Sequence, residues 1–408
     1  MAAWFPGVET CRPAFDIKPT PRVTSGLRFP DACARHINGD MACDRVFIIV
    51  SASLSRNTDA LSRLTDALGD KVAGLHVGMS SHTPIDEVAA IVSKVKDLSI
   101  DCLICLGAGS ITDAAKVIRF ALANDAFTMA DIRALRGARP HKHTLPNIPL
   151  VCIPTTLSGG EYQGIAGVTD NETQEKMLFD PIRDPDLIIQ DPELCSTTPQ
   201  RVWLSTGIRA VDHCVETLCS LQSNDTADNY ARRGLRVLVE ALLCCKEDPQ
   251  DLKALHLCQM AVIDAMRAVS CGVPLGASHA IGHQLGPLGV PHGETSCVML
   301  PAVCSFNTRE PANVQKQAEI VQLLLDTPVI SSLLESNGFG STKPQLAEIL
   351  NIFLRQLGMP RTLKEVGVEG DEKLRQLAKN SLQDHWIKTN AIPITEEGQM
   401  MELLAIAA

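Results

Sequence analysis

Short apolar runs alternate with helix-period stretches through the first half of the chain. Arg45–Ser51 (RVFIIVS) is an apolar run ending in small polar residues, and Leu61, Leu64 and Leu68 then recur at helical spacing. The pattern repeats as Val72–Gly78 (VAGLHVG), an amphipathic stretch Ile85–Leu98, the run Asp101–Gly107 (DCLICLG) and a helix from Ile111 toward Ala121. Strands alternating with helices predict a parallel, doubly wound sheet covered on both faces. A looser segment over Gly137–His143 leads to a buried strand, Pro149–Pro154 (PLVCIP), and further strand-like pieces run to Leu187–Leu194 (LIIQDPEL). After Thr197-Thr198-Pro199, an N-cap-plus-proline signal, long helical periodicities broken by short polar turns take over. The expectation is an α/β domain over residues 1–195 and an all-α helical domain over residues 196–408.

Composition narrows the function classes. A chain of 408 residues exceeds what one hydrophobic core usually organises, in keeping with two domains. With 45% hydrophobic residues, 21% charged residues and a formal charge of −10, the protein has an ordinary globular composition that disfavours a phosphate-backbone partner. The start, MAAWFPGVETCRP, has neither a basic segment nor an apolar core, and no later stretch reaches the roughly 18 apolar residues that span a bilayer. These features predict a cytoplasmic protein with neither a nucleic-acid nor a membrane partner. The fifteen cysteines then read as reduced, buried small hydrophobes, and Cys102-Leu-Ile-Cys105 lies inside an apolar strand, the wrong context for a redox or zinc motif.

Two loops carry the first candidate chemistry. Gly107-Ala108-Gly109-Ser110 directly follows a strand and opens a helix, where small residues let backbone N–H groups approach a diphosphate. Glycine is also needed there for a tight turn alone, so the loop by itself leaves both readings open. Pro154–Glu161 (PTTLSGGE) follows the next strand and belongs at the same carboxyl edge, where open α/β sheets bind ligands. Its hydroxyls suit a ribose or an amide; alternatively they satisfy their own turn.

The second candidate is a histidine cluster. His279 and His283 stand at i and i+4 on one helical face, and His292 follows one loop later, a pattern of metal ligation or proton transfer. An earlier helix places Arg209, Asp212 and His213 on one face.

At these residues the chain resembles a known family. Leu106–Lys116 (LGAGSITDAAK), Ile153–Glu161 (IPTTLSGGE), Gly207–Glu216 (GIRAVDHCVE) and Ser278–Ser296 (SHAIGHQLGPLGVPHGETS) are similar, in order, to the signature stretches of the iron-type alcohol dehydrogenase superfamily. The short PTTLSGGE loop, the PHGETS ending, SHTP (Ser81–Pro84), MPRTLKEVGV (Met359–Val368) and TNAIPIT (Thr389–Thr395) look most like maleylacetate reductases. The resemblance implies a Rossmann-like domain of dehydroquinate synthase-like architecture holding NAD or NADP, a helical C-terminal domain, an active site in the cleft between them, and a homodimer. Carried over residue by residue, Gly107, Ala108, Gly109 and Ser110 form the diphosphate loop, with Ala108 in place of the family's middle glycine. Asp113, Thr155, Thr156 and Lys176 complete the cofactor set, the last three near the nicotinamide half.

Metal-dependent members hold a divalent ion with one aspartate and three histidines. His213, His279 and His292 match those histidines, and His283 matches a further active-site histidine, but the aspartate position is Arg209. A guanidinium about 4 Å from a divalent cation, at an effective dielectric near 20, is repelled by roughly 8 kcal/mol. No catalytic metal is therefore expected. Asp212 either pairs with Arg209 or fills the vacant ligand position, and the ion pair is favoured.

The expected function is NAD(P)H-dependent reduction of a carbonyl or enone of an acidic or oxo-acid small molecule. His279 and His283 are candidates for the balancing proton, and Arg209 for stabilising a developing oxyanion or clamping a carboxylate. Ser51 stands where an aspartate often selects NAD over NADP, which leaves that choice open. Three other readings stand beside this one: a metal-dependent alcohol dehydrogenase using Asp212; a non-redox dehydratase, isomerase or cyclase of a biosynthetic pathway; and a non-catalytic binding protein, which has no evident use for histidines beside a phosphate loop.

Overall fold

The computed structural model describes residues 7–137, 142–173, 175–180, 183–339 and 343–408. Most of the looser segment expected over Gly137–His143 lies outside these. The chain divides into two compact units, Met1–Thr198 and Pro199–Ala408.

Among the described residues the first unit has nine strands: β1 Thr10–Pro13, β2 Arg22–Ser25, β3 Val46–Val50, β4 Val72–Val77, β5 Cys102–Gly107, β6 Leu150–Pro154, β7 Ala166–Asp170, β8 Glu175–Phe179 and β9 Leu187–Ile189. Seven form one sheet in the order β1-β2-β9-β6-β5-β3-β4, parallel throughout except for the antiparallel β1–β2 pair. Every residue of β3, β5 and β6 is buried, because helices cover both faces of a parallel sheet. Strand β4 lies at an edge, where Leu75 and Val77 are exposed. On one face Phe29, Cys33 and Ile37 of the helix Phe29–Asn38 and Leu64 and Leu68 of the helix Ala60–Leu68 pack onto Ile48, Val50, Ile104, Leu106 and Ile153.

The periodicity did not single out β1, β2 or the antiparallel β7–β8 hairpin. The first two have four residues each, and β1 is largely exposed with Pro13 at the sheet edge, so neither offers a buried apolar run. Both members of the Cys102-x-x-Cys105 spacing are buried in β5, where Cys105 sits opposite Cys152 of β6; all fifteen cysteines are free.

Among the described residues no strand follows Ile189. The second unit is helical, its longest members being Gln200–Cys219, Asp225–Glu247 and Leu252–Ser270. The helices Ala277–Leu285 and His292–Phe306 pack with the C-terminal helices Asp371–Ser381 and Glu397–Ile406 around Ile281, Leu285, Met299, Val303, Leu377 and Leu403. The entry to this unit departs from expectation: Pro199 itself is the N-cap residue and no side chain caps the helix. The Thr197 and Thr198 hydroxyls donate backward, to the carbonyls of Leu194 and Thr155. Among the described residues no helix is long and apolar enough to cross a membrane.

Candidate active site

In the first unit, β5 stops at Gly107 and a helix starts at Gly109, with Ala108 as an N-cap residue whose methyl cannot cap. The first N–H groups of this helix are thus not claimed by a capping side chain, the arrangement that suits an anion. Gly107 has φ +149°, and a β-carbon there would fall 2.9 Å from the Ser51 Cβ, so the turn requires glycine. Gly109 and Ser110 remain partly exposed. The second loop lies alongside the first, since Gly107 pairs with Pro154 across the sheet and the Thr155 N–H donates to the Gly107 carbonyl at 3.1 Å. Thr155 and Thr156 are buried at this carboxyl edge.

Asp113 is engaged within the protein. One of its oxygens accepts from the Gly167 N–H at 3.1 Å and the other from Lys116 Nζ at 3.3 Å. Lys116 is fully buried and also donates to the carbonyls of Gly160 (2.6 Å) and Ile165 (2.7 Å), tying the second loop to the 109–123 helix. Lys176 lies across Gly167, whose missing side chain makes room for its stem. Nearby Glu161 is buried, and desolvation pushes its carboxyl up to about 7. The Ser51 hydroxyl is 2.9 Å from that of Ser53, with serine rather than a carboxylate at this strand end.

In the second unit, the 200–219 and 277–285 helices bring Arg209, Asp212, His213 and Glu216 against Ser278 and His279. All six are buried. Arg209 Nη1 donates to Ser296 Oγ at 3.0 Å and lies 3.5 Å from Asp212 Oδ2, so the structure contains the favoured ion pair. The same Asp212 oxygen accepts from Ser278 (3.0 Å) and Ser296 (2.6 Å). His279 Nδ1 lies 2.7 Å from Glu216 Oε2 and 3.4 Å from Asp212 Oδ2. Glu216 also accepts the N–H groups of Gly276 and Ser278, which fixes the start of the 277–285 helix to the 200–219 helix. The rings of His213 and His279 stack with centroids 4.7 Å apart.

His292 begins the 292–306 helix. Its neighbour Gly293 packs so closely on the backbone of Ser205 and Thr206 that a β-carbon would sit 2.6 Å from the Ser205 carbonyl carbon. His283 is only partly buried, and its Nδ1 lies 2.8 Å from Asp384 Oδ2.

Burial sets the electrostatics. Desolvation, reinforced by neighbouring positive charge including that of Arg209, holds His213 and His279 well below the usual histidine range, so both are neutral. Desolvation pushes Asp212 up to about 8, with Glu216 adding to the rise and Arg209 and the two serines opposing it. It pushes Glu216 up to about 7 against its backbone donors and Arg209. With both values raised, the two carboxylates are not both ionised near neutral pH, and the negative charge they share faces Arg209. Among the described residues His213 Nδ1, His279 Nε2 and Asp212 Oδ1 have no hydrogen-bond partner.

Arg209 and the histidines stand out in the sequence, whereas Glu216, Ser278, Ser296 and Asp384 do not. Glu216 was accessible, because it shares the face of Arg209 and His213 one turn further on. Asp384 was not, since 101 residues separate it from His283.

Among the described residues one acidic and histidine group has metal-compatible spacing, Asp212, Glu216 and His279, with ligand atoms within 4.8 Å of one another. Asp212 Oδ2 already takes two hydroxyls and faces Arg209, and His279 Nδ1 is committed to Glu216, so this group as it stands does not fit a divalent ion.

Comparison with known proteins decides the family. The model of iron-containing alcohol dehydrogenases matches residues 27–192, and that of the Fe-containing alcohol dehydrogenase family C-terminal region matches residues 203–408. The chain belongs to the iron-containing alcohol dehydrogenase family. It is thereby an NAD(P)-dependent dehydrogenase or reductase. Dehydrogenase FUM7 of Gibberella moniliformis is 33% identical over 95% of this chain and 96% of its own length. A maleylacetate reductase of a Rhizobium species is 30% identical over 76% and 75%. The crystal structure of maleylacetate reductase from Rhizobium sp. strain MTP-10005 superposes with a TM-score of 0.69 at 26% identity over 92% of both chains. The iron-type resemblance and the fold class, a parallel-sheet N-terminal part followed by a largely helical part, are therefore right.

Proposed function

We propose that this protein reduces the carbonyl or enone of an acidic or oxo-acid substrate with NAD(P)H and without a catalytic metal. The observation that carries the reading is Arg209. The family's metal-ligand aspartate position holds a buried guanidinium, 3.5 Å from Asp212 Oδ2 and in the field of Glu216, beside the neutral His279.

Bound NAD(P)H would supply a hydride to the electrophilic carbon. The uncapped N-terminus of the 109–123 helix, with Gly107, Ala108, Gly109 and Ser110, would hold the diphosphate, while Thr155, Thr156 and Lys176 would serve the nicotinamide half. Asp113 acts through its bonds to Lys116 and Gly167, which keep the two loops in register. Arg209 supplies fixed positive charge for an oxygen gaining negative charge, the part a Lewis acid otherwise plays. His279 presents an unpartnered Nε2 oriented by Glu216, with His213 stacked on it. His283 and His292 complete the proton-handling set. The maleylacetate reductase relatives support an unsaturated oxo-acid substrate.

The test is steady-state oxidation of NADH and NADPH by the wild-type enzyme with maleylacetate and related unsaturated oxo acids, each against its analogue lacking the carboxylate. The expected result is turnover of the acids with kcat/KM at least about tenfold above the analogues, a difference of roughly 1.4 kcal/mol. Preference for simple aldehydes, or saturable cofactor binding with no turnover of any acid, would overturn the reading.

A further inference from the structure

His279 and His283 lie one turn apart on the same helix, yet their surroundings differ. His279 is buried beside Arg209, whereas the His283 side chain is 16% exposed and its Nδ1 points at a carboxylate that is itself only 6% exposed, Asp384. The other Asp384 oxygen accepts the Trp386 N–H at 3.0 Å, which fixes the rotamer at the start of the 385–389 turn. The same segment reaches the opposite end of the histidine helix: Thr389 Oγ1 donates to the Leu275 carbonyl at 2.6 Å, and Asn390 Oδ1 accepts the Ala277 N–H at 3.3 Å. Residues 384–390 therefore clamp both ends of the helix that carries His279 and His283.

We propose that Asp384 is a positioning residue for His283, holding the ring by Nδ1 and keeping the imidazole protonated so that Nε2–H is the proton donor of the reduction. What the proton is used for rests on the reductase reading above; the pairing does not. The titratable groups around His283 are His213 from the 200–219 helix and His279 on its own helix, both neutral, and His385 beside Asp384; Arg209 on the 200–219 helix is a fixed positive charge whose field reaches Asp384. The packed 292–306 helix opens with His292 and Glu294, the latter bonded to Arg201 at 2.6 Å. The packed 371–381 helix turns Leu377, Ala378 and Ser381 inward and keeps its charges exposed. The carboxylate paired with His283 is that of Asp384. Burial by itself would raise its pKa, but the hydrogen bond and charge of His283 and the Trp386 N–H outweigh that and hold it below the usual aspartate range. The step is balanced: one proton passes from Nε2 to the substrate oxygen or carbon left electron-rich by the hydride, and solvent returns one to Nε2.

Asp384→Asn keeps an oxygen for the Trp386 N–H and removes the charge. His283 titration is followed by NMR of ring-labelled histidine in the full-length protein, its signal identified by loss in His283→Gln. The expected result is a fall in the His283 pKa by about one unit or more. The basic limb of the kcat pH profile should move the same way by a similar amount, with cofactor Kd unchanged and Asp384→Glu restoring part of the shift. An unmoved His283 titration overturns the pairing. A moved titration with an unmoved kcat limb overturns His283 as donor. A wild type that turns over no oxo acid marks failure of the reductase reading instead, and the NMR result still decides the pairing.

Discussion

Replacing Arg209 by methionine removes a buried charge while keeping much of the side-chain volume. Its Nη1 is 3.5 Å from Asp212 Oδ2, and Arg209 and Asp212 are both essentially inaccessible. At an effective dielectric near 20 that separation corresponds to about 5 kcal/mol. Breaking a buried pair by removing one partner typically costs about 3–5 kcal/mol. Protonation of Asp212 relieves the loss, and here the sign follows from the direction of the shift. Asp212 and Glu216 have folded-state pKa values raised to about 8 and about 7. Their protonated forms favour folding at low pH, and that contribution fades as pH climbs from the unfolded carboxylate range to those values. Without Arg209 the Asp212 value rises further and the carboxyl stays protonated, so the variant should lose little at pH 6 and about 1.4 kcal/mol at pH 9, one pH unit above the wild-type value. Urea unfolding followed by tryptophan fluorescence reports on this unit through Trp203 and Trp386. Adding Asp212→Asn should recover most of the pH 9 loss. A loss equal at both pH values, or no recovery in the double variant, would refute the charge-pair account.

Gly107→Ala should cost about 1–3 kcal/mol through its φ of +149° and the Ser51 contact. NAD(P)H fluorescence titration should also show affinity at least about tenfold weaker. Lys116→Met leaves two buried carbonyls and Asp113 without their donor, a loss of about 3 kcal/mol that hydrogen exchange should place in the 109–123 helix and the 160–167 loop.

The parts of the fold legible in the sequence are those where burial leaves a continuous mark. Strands β3, β5 and β6 are covered on both faces, so VFIIV, CLICLG and LVCIP stand out, and the glycines after β5 stand out because Gly107 needs its φ. Strands β1 and β2 leave no such mark, being short and joined to the sheet by backbone bonds. In the site, His279, His283 and Arg209 were found by helical spacing and family resemblance. Asp212 is legible as the partner of Arg209, but Ser278, Ser296 and Asp384 are not. Ser278 and Ser296 look like ordinary small polar residues until both hydroxyls meet one Asp212 oxygen. Asp384 lies in a short turn with no periodicity, and only tertiary folding brings it to His283.

Reduction without a metal is tested by dialysing the enzyme exhaustively against a strong chelator, measuring bound iron and zinc by mass spectrometry, and assaying NAD(P)H oxidation with an unsaturated oxo acid before and after. Substoichiometric metal and unchanged kcat are expected. Stoichiometric iron or zinc, with activity lost on chelation and restored by the ion, would overturn metal-free reduction.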